Sequence, residues 1–223
     1  MINSKGAVRP PGLVDADVPR TSERGSPAVS RFCDRLGLRN VRRDFGKAAG
    51  AALRSEDAEH HLRWRNDPEV VRWAAAGDPC FGPVSAEAIG LGFDTMLRLI
   101  PRESAVFTVE DLAGGRVIGM ADYRDLDPYA GVATLGVTIG EREFWGRGHG
   151  SDALRLLVGH LFGAYFLSRL ELDTWSGNER AMRAFTRLGF REEGRRRSAV
   201  LVEGKRYDRV LFGMLREEWA TPT

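Results

Sequence analysis

Phe144-Trp145-Gly146-Arg147-Gly148-His149-Gly150-Ser151-Asp152-Ala153-Leu154 carries three glycines on alternate positions between a β-type run and an amphipathic helix. Glycine adopts positive φ readily and lets a ligand approach the backbone closely, so successive N–H groups can point inward at an anion. The helix that follows, expected from Ser151 to about Phe166, adds its unpaired N-terminal donors and the positive end of its dipole. The stretch reads as a phosphate cradle at a strand-to-helix junction. It is not a Walker loop, because no Lys and Ser/Thr pair follows Gly150. Nor is it the dinucleotide fingerprint G-x-G-x-x-G, since the spacing here is G-x-G-x-G.

Working outward, residues 170–174 alternate Leu, Glu, Leu, Asp, Thr, the period of a half-buried strand. Gly177-Asn178-Glu179 opens a second helix over 178–188, with Gly189 placed as its C-cap. Upstream, residues 104–110, 116–123 and 133–139 read as three strands of an antiparallel meander. Ser55-Glu56-Asp57-Ala58-Glu59 is a capping signature before a helix carrying Leu62 and Trp64, and Asn66-Asp67-Pro68 breaks and restarts that helix. A loop over 79–83 precedes a further helix over 85–99, and Glu203-Gly204-Lys205 turns a hairpin between 198–202 and 206–215. This order predicts an α+β, three-layer α/β/α fold with a mixed, mostly antiparallel central sheet. One domain is expected over 32–219, with a short tail at 220–223. Residues 1–31, rich in Pro, Gly, Ser and Arg, read as a disordered extension, and 42–50 make a poor strand.

A chain of 223 residues with 43% hydrophobic content is long enough to bury a core. The formal charge of +2 gives no case for nucleic acid as an obligatory partner, and Arg195-Arg196-Arg197 reads as a solvated face or local basic patch. Two cysteines, Cys33 and Cys80, make neither a disulfide scaffold nor a metal site, which fits a reduced cytoplasm. No apolar stretch of about 18 residues and no apolar signal core is present, which argues against membrane insertion and secretion. His60 and His61 adjoin in sequence and read as surface residues, not metal ligands.

Trp145-Gly146-Arg147-Gly148-His149-Gly150, then Asn178-Glu179-Arg180-Ala181, then Leu188-Gly189-Phe190, resembles the GNAT superfamily of acyl-CoA N-acyltransferases. Within it the chain is similar to the ribosomal-protein N-terminal acetyltransferase branch (RimJ/RimL-like), which also holds polyamine and antibiotic acetyltransferases. The resemblance spans about 52–219 and is strongest from Leu135 onward. It implies acetyl-CoA as co-substrate, with the diphosphate on main-chain N–H groups of Trp145, Gly146, Arg147, Gly148, His149, Gly150 and Ser151. Trp145 stands where the family pattern [Q/R]-x-x-G-x-[G/A] has Gln or Arg. Val137, Thr138 and Ile139 would hold the pantetheine arm as an added strand, with Asn178 and Phe185 beside it. Trp64 and Asn66, in the first helical pair, would border the acceptor pocket. The acceptor would be an amine, either a protein N-terminus or a small molecule, and a homodimer is compatible with this branch.

Acetyl transfer needs a held acyl donor, a neutral amine and a stabilised oxyanion. Many relatives carry a Glu near the start of the strand before the loop, where this chain has Thr134-Leu135. The carboxylates left near the expected site are Asp173, taken first, then Glu171 and Asp122. Relatives also place a Tyr seven residues after the Asn to protonate the departing thiolate, and here the residue is Phe185. Two readings follow: an N-acetyltransferase acting by direct attack in a ternary complex, or a degenerate acyl-CoA-binding module without turnover.

Overall fold

The computed structural model describes residues 48–52, 55–75, 83–97 and 104–219. The extension 1–31, Cys33, Cys80, most of the 79–83 loop and the tail 220–223 therefore lie outside the described residues. Seven strands form one sheet in the order β1-β2-β3-β4-β5-β7-β6. They are β1 (Ala48–Ala52), β2 (Ala105–Asp111), β3 (Val117–Asp127), β4 (Val132–Ile139), β5 (Arg169–Trp175), β6 (Arg191–Val202) and β7 (Lys205–Leu215). The described helices are α1 (Ala58–Arg65), α2 (Pro68–Ala74), α3 (Ala86–Leu97), α4 (His149–Ala164) and α5 (Glu179–Leu188). Every strand pairing is antiparallel except β4 with β5, so the expected mixed sheet is what forms.

Strand alternation divides the sheet into two faces. Ala133 and Leu135 of β4, with Ala121 and Tyr123 of β3, are buried on one face, and Leu170 and Leu172 of β5 and Phe212 of β7 extend that core. Helix α4 lies on it through Ala153, Leu154, Leu157, Val158, Leu161 and Phe162, a stripe at helical spacing. Each fully buried Leu or Phe there contributes about 1.5–3 kcal/mol. Helix α5 adds Phe185 and Leu188 and ends at Gly189, whose φ of 107° is the left-handed cap its sequence position called for.

The opposite face carries the α1–α2 unit. Thr108 Oγ1 donates to the buried Asp57 carboxylate at 2.6 Å, fixing the start of α1 to β2. Asp67 caps α2 by accepting from Glu69 N–H at 2.9 Å, with Pro68 at the first helical position.

Four expectations are corrected by the structure. Helix α4 begins at His149, not Ser151, because Gly148 serves as its N-cap and accepts from Asp152 N–H at 3.0 Å. Residues 48–52, poor in strand formers, still pair along β2 from Ala48↔Asp111 to Ala52↔Phe107, tertiary pairing overriding propensity at a sheet edge. The strand expected over 198–202 begins already at Arg191, so the arginine run 195–197 is the exposed part of β6. His61 is buried at 6% exposure with its ring 5.3 Å from that of Trp64, three residues further along α1.

Candidate functional site

The glycine loop leaves β4 at Gly140 and enters α4 at His149. Gly146 and Gly148 have φ of 73° and 98°, and a Cβ on either would meet nothing within 4 Å, so the loop borders open space. The first N–H groups of α4 have no intrahelical acceptor and face the same end of the helix. His149 turns its side chain the other way, buried at 5%, with Nε2 3.2 Å from Asp111 Oδ1 and its ring edge-on to Phe144. Burial acts upward on Asp111 but is outweighed by the Gly114 N–H and His149, leaving its carboxyl below the ordinary value. Of His149, the backbone alone lies at the loop surface.

Beside the loop the sheet splits. Parallel pairing of β4 with β5 runs only from Val132↔Arg169 to Thr134↔Glu171. β4 nevertheless stays paired with β3 as far as Ile139, and β5 with β7 as far as Trp175. Residues 135–139 thus present an edge of backbone with no strand partner on the β5 side. Val137 and Ile139 pack toward the α4 core while Thr138 shares the opposite face with Gly136. Trp145 marks the end of the split: its indole N–H donates to Ile139 O at 2.6 Å.

The far wall is aromatic. Trp175 at the end of β5 stacks on Trp73 of α2 at 5.5 Å and meets Tyr207 edge-on at 4.8 Å. Gly177 is required beneath it, because a Cβ there would collide with the indole. Arg180 of α5 lies 4.6 Å from the Trp145 ring centroid and 5.5 Å from that of Trp73, spanning the split from one wall to the other. Burial lowers its pKa, with Glu69 opposing. Asn178 caps α5 by accepting from Ala181 N–H at 3.2 Å, and its amide donates to Trp73 O at 3.4 Å. Phe185 does not face the split; it is buried in the core edge-on to Phe212 at 5.6 Å.

The α1–α2 unit is tied to the loop. Trp64 packs over Gly140, where a Cβ would collide with its ring, and donates Nε1–H to Glu141 Oε1 at 2.9 Å. Arg63 pairs with the same carboxylate. Arg142 donates from Nε to Asp67 Oδ2 at 2.9 Å and pairs with Glu69 at 2.6 Å. Its hydrogen bond holds the Asp67 carboxyl below the usual range. Asn66 is spent on backbone, accepting from Val84 N–H at 2.9 Å and donating to Leu62 O at 2.9 Å and Val84 O at 3.0 Å. Trp64 and Asn66 are therefore buried or committed to holding α1.

Asp122, Glu171 and Asp173 share one face of the sheet, since Asp122 lies opposite Gly136 and Thr134 pairs with Glu171. Asp173 accepts from Arg209 at 2.7 Å and Glu171 from Arg169 at 2.6 Å. Asp122 differs from both. Burial raises its carboxyl above the ordinary value against the opposing pull of Arg124, 3.0 Å away. It also lies over Gly136, where any Cβ would strike its oxygens. Trp73, Trp175 and Glu141 were not singled out as site residues from sequence. The signals were present: Gly177 two residues after Trp175, and a carboxylate two residues after the strand that ends at Ile139.

Fold, glycine loop and split sheet define an acyl-CoA-type transferase scaffold. Residues 51–191 match the acetyltransferase (GNAT) domain family, and the chain belongs to that family. It is 33% identical over 108 residues to the "Putative ribosomal N-acetyltransferase YdaF" of Bacillus subtilis (strain 168), covering 48% of this chain and 58% of that protein. It is 26% identical over 165 residues to the uncharacterized N-acetyltransferase p20 of Bacillus licheniformis, covering 74% of this chain and 90% of p20. Among solved structures, spermidine N-acetyltransferase from Vibrio cholerae in complex with CoA and spermine superposes with a TM-score of 0.69 at 17% identity, over 77% of this chain and 97% of that one. At that identity the likeness concerns the fold. No described helix is long and apolar enough to cross a membrane.

Proposed function

We propose that this protein transfers an acetyl group from acetyl-CoA to a primary amine by direct attack within a ternary complex. One observation carries the reading: the open edge of β4 at 135–139 adjoins the glycine loop at 146–151, so an extended arm and its diphosphate have contiguous main-chain partners. Acetyl-CoA would supply an activated thioester. Backbone N–H groups of 146–151 would receive the diphosphate, with no side chain on Gly146 or Gly148 to obstruct it. Backbone groups of Val137, Thr138 and Ile139 would hold the arm, one N–H polarising the thioester carbonyl. In this reading Trp145 and Asn178 hold the Ile139 carbonyl and the start of α5 in place.

The amine must lose a proton before it attacks. Asp122 is the carboxylate best suited to take it: it lies over Gly136 beside the open edge of β4, and burial raises its basicity against the opposing pull of Arg124. Phe185 offers no proton to the departing thiolate, so water serves; a thiol of pKa about 8.5 is an adequate leaving group. That same phenyl ring supports the second reading, an acyl-CoA-binding module without turnover.

A turnover assay with acetyl-CoA and a panel of amines separates the two. Wild type is expected to acetylate, and Asp122→Asn to lower kcat by about 10²–10⁴ while keeping acetyl-CoA affinity. The rate should rise with pH as Asp122 deprotonates, and the Asn variant should lose that limb. Tight acetyl-CoA binding with no acetyl transfer to any amine would establish the non-catalytic module.

A further inference from the structure

The sheet face that carries Asp122 and Asp173 also carries an unbalanced pair of arginines at its β6–β7 end. Arg209 lies opposite Trp175 on one side and opposite Arg196 on the other. Two guanidinium-bearing residues directly across an antiparallel pair repel one another, a cost that a bound anion removes. Arg209 has Asp173 as its partner at 2.7 Å, whereas Arg196 pairs with no carboxylate among the described residues.

The arrangement is held from behind. Immediately after Arg196 the pairing jumps to Val200↔Tyr207, a bulge in which Ser198 takes a φ of 52°. Bulges of this kind re-aim side chains and concentrate near active sites. Ser198 N–H donates to Asp208 Oδ1 at 3.0 Å, and Asp208 is joined to Ser176 through Ser176 N–H at 2.9 Å and Ser176 Oγ at 3.1 Å. The bulge is thereby locked to the residue that follows β5, at the aromatic wall of the split.

The carboxylates of this face, by contrast, are already matched. Asp122 has Arg124, Asp173 has Arg209, and Glu171 and Glu193 share Arg169. A polycation would have to displace an arginine from each carboxylate it used, whereas an anion meets in Arg196 a guanidinium paired with no carboxylate among the described residues and shares Arg209 with Asp173.

Taking the proposed transferase reading as its basis, we infer that Arg196 and Arg209 form a carboxylate seat, and that the acceptor is an amine bearing a nearby carboxylate, not a polyamine. Such an acceptor is either a free amino acid or an acidic peptide N-terminus, and both present the same chemistry to the seat. Charge-assisted hydrogen bonds from a guanidinium favour the anionic acceptor by roughly 10- to 100-fold.

The test titrates four ligands into the full chain saturated with CoA, following the fluorescence of the tryptophans at the split. They are glutamate, a tetrapeptide with alanine followed by three acidic residues, its lysine counterpart, and spermidine. The acidic ligands are expected to bind at least about tenfold more tightly than the lysine peptide or spermidine, and the tighter of the two acidic ligands identifies the source. Arg196→Glu, at an exposed position, is expected to abolish the preference, and Arg196→Gln to reduce it. Equal or tighter binding of spermidine or the lysine peptide, an unchanged preference in Arg196→Glu, or no binding by any of the four overturns the inference. Acetylation of the same ligands is followed in parallel. Acidic ligands that bind without being acetylated would count against the transferase reading and leave the seat standing; acetylation of spermidine in preference would do the reverse.

Discussion

Phe185 stands where the family resemblance implies a proton-donating Tyr, and its ring is closed into the core at 7% exposure. Phe185→Tyr puts a hydroxyl among apolar neighbours without a partner, which is expected to cost about 1–3 kcal/mol of stability. Acetyl-CoA affinity and turnover should hold. Raised turnover with an unchanged melting temperature would mean that the hydroxyl reaches the departing thiolate. His61 gives a pH signature of its own. Burial lowers its pKa to about 4, against Asp57, which raises it, and a neighbouring His60, which lowers it further. The unfolded chain takes up a proton near pH 6.5 and the folded chain does not until about pH 4. Stability is therefore full above about pH 6.5 and declines as pH falls toward 4, by as much as roughly 3 kcal/mol. Denaturant titrations across that window should show a smaller slope in His61→Gln than in wild type, the remainder coming from His160, whose pKa burial also lowers; an identical slope in both would place the acid-sensitive group elsewhere.

At the scale of elements, the glycine loop and the α1–α2 unit are one mechanical piece, joined by Trp64 over Gly140 and by the hydrogen bonds of Glu141 and Arg142. Gly140→Ala forces the buried Trp64 ring aside and is expected to destabilise the fold by about 1–3 kcal/mol. It should also weaken acetyl-CoA binding, because the displaced helix carries the loop with it. A melting curve and one affinity measurement check this, and a variant as stable as wild type would show that Trp64 is free to move. None of this joint was legible in sequence, because Trp64 and Gly140 meet only through tertiary packing. Helix α4, strand β5 and helix α5 were legible, because their apolar spacing and the cap at Gly189 are local signals. The first half of β6 was not, since Arg191–Arg197 carries no alternating apolar pattern and is held by pairing to β7.

Over the whole molecule, the glycine triplet points to the family because loop, strand and second helix follow in fixed order, a pattern that residues spread along the chain carry together. Acceptor chemistry was less legible. It depends on which charges are neutralised across strands: Asp173 by Arg209, 36 residues away in sequence, and Glu171 by Arg169. Position along the strand points to Asp173 as the base, whereas burial raises the basicity of Asp122 although it too is paired with an arginine. The central claim is that acetyl-CoA seats on the loop at 146–151 and along the open edge of β4. Gly150 tests it most cleanly, because a Cβ there meets only Ile139 at 3.6 Å, an ordinary contact that leaves the fold intact. Calorimetric titration of acetyl-CoA into wild type and Gly150→Val, with melting curves to confirm folding, is the direct measurement. Saturable binding to wild type and its loss in a folded Gly150→Val protein is the predicted result; equal affinity in the two would contradict it.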